Sequence, residues 1–165
     1  MSHLTGLPSQ ADRVLVVANR TADSDELVQA MHDRAADGPA RFTLVVPATP
    51  HGLAWAADMS AGIPEARRQM ALARKRLSHE GLWIDDIRLG SPDPLAAVHD
   101  ATNFESFTDI IVCTLPRRVS RWLKLCLPHR VSRSTGLPVT HIVAQRSRGT
   151  RFEPVAEPLA EPIAA

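Results

Sequence analysis

Arg13-Val14-Leu15-Val16-Val17-Ala18, followed at once by Asn19-Arg20-Thr21, decides the class of fold. An unbroken run of valine and leucine, with no polar residue alternating through it, suits a strand covered on both faces. Such strands belong to parallel sheets, and the rest of the chain repeats the alternation that a parallel sheet requires. Asp23 to Ala36 reads as a helix, with Asp23 and Glu26 as a capping arrangement, Leu27 and Met31 on one face and Gly38-Pro39 as its stop. Phe42 to Val46 is a second buried strand, and Pro47 to Gly62 a long loop holding Pro50, Gly52 and Trp55. Pro64 opens a second helix whose Ala66, Met70, Ala73 and Leu77 share an apolar stripe ending at Gly81.

Leu82 to Leu89 is the third strand, placed near a sheet edge by its Asp85-Asp86 pair. In Gly90-Ser91-Pro92-Asp93-Pro94, Asp93 caps a third helix and Pro94 is its first residue, with Leu95 and Val98 as the buried stripe. Asp109 to Cys113 is a fourth strand. Arg118 to Ser134 has helical composition interrupted at Pro128, Gly136 ends it, and Leu137 to Val143 is a fifth strand. The β-α alternation predicts a three-layer, doubly wound α/β domain: an open parallel five-stranded sheet with helices on both faces.

The expected domain runs over 12–145. Residues 1–11 show no periodicity and read as a flexible leader. Residues 146–165 are arginine-rich and then repeat Glu-Pro-Val-Ala, Glu-Pro-Leu-Ala, Glu-Pro-Ile-Ala. A proline at every fourth position excludes a regular helix or an interior strand, so this tail is expected to be disordered.

Composition excludes several function classes. The chain has 165 residues, 44% apolar and 22% charged, with 4% aromatic residues and no tyrosine. Its net charge of +1 argues against coating nucleic acid or a membrane by bulk charge. Trp55, Trp83 and Trp122 do not cluster with the arginines as a stacking platform for RNA would. No apolar run approaches the length of a bilayer span and no signal peptide opens the chain, so a cytoplasmic protein is expected. Two cysteines, Cys113 and Cys126, supply neither a disulfide framework nor a four-cysteine metal site. Cys113 falls in an apolar strand and reads as a buried structural thiol. The seven histidines show no metal-ligand spacing, although His51 and His129 stand out by position.

The near-neutral total is a cancellation. Residues 1–109 carry 10 basic and 15 acidic side chains, whereas 110–152 carry nine basic ones and no acid, and the last 13 residues hold three glutamates. In open parallel sheets, ligands bind beyond the carboxyl ends of strands where the strand order reverses. The loops concerned are Asn19-Arg20-Thr21, Pro47 to Gly52, and Thr114 to Arg121. The last of these, Thr-Leu-Pro-Arg-Arg-Val-Ser-Arg, opens the acid-free stretch. Thr114 and Ser120 offer hydroxyls, and Arg117, Arg118 and Arg121 offer planar guanidinium forks suited to phosphate or carboxylate.

From Asp12 to Ala144 the chain resembles the universal stress protein family of the adenine-nucleotide α-hydrolase-like group. The resemblance rests on the opening strand with its ligand loop (Arg13 to Thr21), on Gly90-Ser91-Pro92 followed by Leu95-Ala96-Ala97-Val98, and on a closing unit. That unit comprises Asp109-Ile110-Ile111-Val112, Arg130-Val131, and Leu137-Pro138-Val139-Thr140-His141-Ile142-Val143. It implies strand order 3-2-1-4-5, a homodimer through the last strand, and a stress-response regulatory domain without enzymatic activity. It also implies ATP or another adenine nucleotide, or another phosphorylated anion, near the first and fourth strands, with Val46 added to Asn19, Arg20, Thr21, Thr114, Arg117, Arg118, Ser120 and Arg121.

Two departures stand out. ATP-binding members carry aspartate where Asn19 stands. They also carry a glycine-rich phosphate loop after the fourth strand, whereas no glycine occurs between Gly90 and Gly136. Glycines let backbone amides approach phosphate closely, so any anion here is held by side chains instead. Two further classes stay open: a protein-interaction module that binds no ATP, and a nucleotide α-hydrolase, whose usual phosphate loop and acidic metal ligands are missing from the expected positions.

Overall fold

The computed structural model describes residues 11–50, 59–116 and 126–145. Within them, β1 (Asp12–Val17), α1 (Asp25–Asp37), β2 (Ala40–Pro47), α2 (Ile63–Leu77), β3 (Trp83–Gly90), α3 (Pro94–Phe104), β4 (Asp109–Thr114), α4 (Leu127–Thr135) and β5 (Val139–Val143) follow in turn, with a short 3-10 turn at Met59–Gly62 leading into α2. The five strands form one sheet in the order β3-β2-β1-β4-β5, and all four pairings are parallel. The expected fold class and strand order are both present.

The continuous apolar runs are explained by two cores on opposite faces of the same strands. Val14, Val16, Phe42, Leu44, Ile111 and Cys113 pack with Leu27, Val28 and Met31 of α1 and Ala66, Ala73 and Leu77 of α2. Their neighbours Leu15, Val17, Val45, Ile110 and Val112 pack with Ala97, Val98 and Ala101 of α3 and Leu127 and Val131 of α4. Because successive strand side chains alternate faces, a strand roofed on both sides leaves no position open to solvent, and even Thr43 of β2 is buried.

Local details differ from the sequence reading. α1 is capped by Ser24, not Asp23: the Ser24 hydroxyl accepts from the Leu27 amide at 3.3 Å. Asp23 instead lies in the turn before the helix. The stretch expected to be helical from Arg118 is described only from Cys126 onward; there α4 starts at Leu127 and carries Pro128 in its first turn, where its missing N–H costs nothing. β5 starts at Val139, two residues later than expected. On α3 the buried stripe runs through Ala97, Val98 and Ala101, with Leu95 only partly covered. Asp93 caps α3 as expected, accepting from the Leu95 amide at 3.0 Å.

At the end of the sheet where β1 and β4 begin, Arg34 of α1 bridges Asp12 at 2.7 Å and Asp109 at 3.0 and 3.1 Å. These hydrogen bonds hold the Arg34 guanidinium charged well above its ordinary range, against the opposing effect of burial. The other end of the sheet carries the loops that matter for function.

Candidate anion-binding crevice

Beyond Val17 the chain must leave the sheet between β2 on one side and β4 on the other, which is where the strand order reverses. Asn19 marks that point. Its side chain is only 4% exposed, and its Nδ2 donates to the Pro47 carbonyl at 2.6 Å, tying the end of β1 to the end of β2. The second amide atom, Oδ1, is buried and has no hydrogen-bond partner among the described residues. A buried acceptor left unpaired is unfavourable by about 1–3 kcal/mol, so Asn19 offers a vacant acceptor to any donor that approaches.

Two turns then carry the chain into α1, the Ala22 amide donating to the Asn19 carbonyl at 3.0 Å and the Ser24 amide to the Thr21 carbonyl at 3.1 Å. Thr21 is buried, and its hydroxyl donates to the Cys113 carbonyl at 3.0 Å, latching this loop to β4. Arg20, between them, is exposed and has no ion pair with any described residue. Burial pushes the Cys113 thiol up, against the opposing effect of its hydrogen bonds to Thr21 and Ser24. That environment disfavours the thiolate a nucleophile requires.

On the β4 side, Thr114 is buried, its carbonyl accepts from the Ala144 amide at 2.8 Å, and its hydroxyl meets His141 Nε2 of β5 at 2.9 Å. Burial moves the His141 imidazole below its ordinary range. Asn19, Arg20 and Thr21 thus follow the end of β1 and Thr114 ends the neighbouring β4, with the Asn19 side chain bonded toward β2 and the Thr114 hydroxyl toward β5. Val46 is fully buried and belongs to the core. Arg117, Arg118, Ser120 and Arg121 lie outside the described residues; the described chain leads toward them through Leu115 and Pro116 and resumes at Cys126.

Sequence reasoning missed the contribution of α2. A cleft of about 250 Å³ separates its first turns from the β1–α1 turns and is lined by Arg20, Ser24, Glu65, Arg68, Gln69 and Gln145, among others. Gln69 is 8% exposed, donates from Nε2 to Glu65 Oε1 at 2.8 Å, and its own Oε1 has no partner among the described residues. The available signal was the Glu65/Gln69 spacing, which puts a polar pair on one helix face. α2 can come this close because Gly62 precedes it: a Cβ there would stand 2.0 Å from the Ala48 carbonyl oxygen.

The Asp85-Asp86 pair lies on β3, an edge strand as expected, at a local irregularity. Adjacent strand residues are expected to face opposite ways, yet the β2–β3 register shifts between Phe42 and Thr43, leaving Asp85 without a partner on β2. Both carboxylates consequently meet arginines on one side, Asp85 with Arg13 and Arg41, and Asp86 with Arg88. Among the described residues no group of three or more histidines, cysteines or carboxylates is placed to hold a metal ion.

No family model matches this chain. No curated protein matches it either. Solved structures do. A protein of the universal stress protein family from Burkholderia pseudomallei is 19% identical, with a TM-score of 0.57 over 84% of this chain and 100% of that one. A universal stress protein in complex with cAMP is 16% identical, with a TM-score of 0.53 over 82% of this chain and 99% of the other. The universal stress protein from Archaeoglobus fulgidus in complex with dAMP is 16% identical, with a TM-score of 0.53 over 80% and 97%. At these identities the likeness establishes the fold.

Proposed function

Starting from the fold of the universal stress proteins, we propose that this chain is a non-enzymatic regulatory domain of the stress-response type. In this reading it binds a small phosphorylated anion, of which adenine nucleotides are the leading class, at the crevice between the ends of β1 and β4. The observation that carries this reading is the buried Asn19 at the switch point: among the described residues its Oδ1 has no partner and its chain neighbour Arg20 has no ion pair. Support also comes from the structures of similar fold, two of which hold cAMP or dAMP.

The residues present do not fit the glycine-cradled mode of phosphate binding. The Asn19 amide is engaged with Pro47, the Thr21 hydroxyl with Cys113, and the loop after β4 contains no glycine. They fit a mode in which guanidinium groups hold the phosphate, with Arg117, Arg118 and Arg121 as its ligands, joined by Arg20. Asn19 Oδ1 then accepts from a hydroxyl or amine of the ligand.

Isothermal titration of the full chain with AMP, cAMP and ATP tests this. Saturable binding that weakens as salt is raised, and that is lost in a triple Arg117→Ala, Arg118→Ala, Arg121→Ala variant, is expected. Absence of heat at millimolar ligand, or turnover of the nucleotide during the titration, overturns it. The proposal includes a cytoplasmic homodimer through β5, whose free edge presents Thr140, His141 and Val143. No described helix is long and apolar enough to cross a membrane.

A further inference from the structure

The cleft between α2 and the β1–α1 turns carries charges of both signs that do not pair. Two arginines, Arg20 and Arg68, and two carboxylates, Asp23 and Glu65, line it, and none of the four forms an ion pair with another described residue. Glu65 and Arg68 stand three apart on α2, a spacing that permits pairing, yet Glu65 accepts from Gln69 Nε2 at 2.8 Å. By contrast, Arg34, Arg76 and Arg88 each hold two carboxylates.

Gln69 lies in the same wall, is 8% exposed, and its Oε1 has no hydrogen-bond partner among the described residues. Glu65 fixes the orientation of this amide, because a carboxylate oxygen accepts and must face the NH2 group. What stays open is therefore an acceptor on the residue bonded to a carboxylate. A donor that carries positive charge suits both groups. The hydroxyls nearby are already committed, Thr21 to the Cys113 carbonyl and Ser24 to the Leu27 amide.

A polyanion in this cleft meets Asp23 and Glu65 as well as the arginines, and a lone cation meets Arg20 and Arg68. A ligand bearing one charge of each sign avoids both penalties. The volume of about 250 Å³ lies below the roughly 300–1,000 Å³ usual for drug-sized ligands and suits a smaller molecule. Leu72, which is partly exposed, and Leu115 supply apolar lining.

We propose that this cleft is a binding site for a free α-amino acid with an aliphatic side chain. Its ammonium donates to Gln69 Oε1 and Glu65, its carboxylate lies between Arg20 and Arg68, and its side chain covers Leu72 and Leu115. The site shares Arg20 with the crevice at the ends of β1 and β4, but it does not rest on nucleotide binding there.

Isothermal titration of the full chain with L-leucine tests it, beside 4-methylpentanoate, which lacks the ammonium, and leucinamide, which lacks the carboxylate. Saturable binding of leucine is expected, with each analogue weaker by at least about tenfold. Arg68 is exposed, so Arg68→Gln should leave circular dichroism and melting unchanged while weakening leucine by at least about tenfold. Gln69→Met removes the acceptor at similar volume and weakens leucine in the same sense. No saturable binding at about 10 mM leucine, an analogue that binds as tightly as leucine, or undiminished affinity in either variant overturns the proposal. AMP titrated separately reports on the crevice, so a chain that binds AMP and not leucine refutes this site alone, and one that binds leucine and not AMP refutes the other.

Discussion

Replacing Asn19 by aspartate changes one atom in kind and almost nothing in size, so it isolates what the amide does. The wild-type Nδ2 donates to the Pro47 carbonyl at 2.6 Å in a site where only 4% of the residue is exposed. An ionised carboxylate sets an oxygen against that carbonyl instead. The Pro47 carbonyl then loses its donor, at about 1–3 kcal/mol, and a charge is left in a poorly solvated position. Protonation offers an escape, since a neutral carboxyl can donate to Pro47, but each unit by which the folded-state pKa must rise above about 3.9 costs about 1.4 kcal/mol at pH 7. Either route gives about 2–4 kcal/mol, or a fall of roughly 5–15 °C in Tm for a domain of this size. The folded pKa of the introduced carboxyl is raised, so the penalty is absent below the unfolded pKa, grows as pH rises to the folded value and is constant above it. Thermal melts of the wild type and Asn19→Asp at pH 7 and pH 4 measure both effects. The gap in Tm is expected at pH 7 and should shrink at pH 4. Equal melting at pH 7, or a gap that ignores pH, refutes the donor role of Asn19 and with it the tie between β1 and β2.

Three further outcomes are expected. Gly62→Ala forces a Cβ against the Ala48 carbonyl, 2.0 Å away in the present geometry, and displacing α2 should cost about 1–3 kcal/mol in urea denaturation. Native protein treated with an aromatic disulfide reagent should release one thiol quickly, from exposed Cys126, and the second, from buried Cys113, only in denaturant. His141 has a folded pKa lowered by burial, so its contribution is whole above the unfolded value near 6.5 and is lost as pH falls toward the folded pKa. A His141→Gln variant should therefore show a flatter fall in Tm across the acid side of pH 6.5 than the wild type.

The fold was legible because its decisive signals are repeated. Val14 to Val17 and Ile110 to Cys113 are apolar without alternation, Phe42 to Val46 is so apart from buried Thr43, and the structure roofs both faces of each. What was not legible depends on contacts distant in sequence. Ser24 rather than Asp23 caps α1, because the turns from Asn19 to Ser24 are held by the Thr21 hydroxyl on Cys113, nearly a hundred residues away. The bulge at Asp85 leaves no periodic trace, yet it sets Asp85 beside Arg13 and Arg41 while Asp86 meets Arg88. At the crevice, the ends of β1 and β4 were legible from topology alone, whereas the loop after β4 lies outside the described residues beyond Pro116. Arg68 and Gln69 were not legible, because a helix face declares only that it is polar, not which cleft it borders.

Chemical-shift perturbation of backbone amides on adding AMP tests the central claim most directly, because it reports where an anion binds as well as whether it does. Progressive, saturable shifts clustered on Asn19, Arg20, Thr21, Thr114 and Leu115, with 83–90 unmoved, are the predicted result. Shifts centred away from the ends of β1 and β4, or none at millimolar AMP, would contradict an anion site at that crevice.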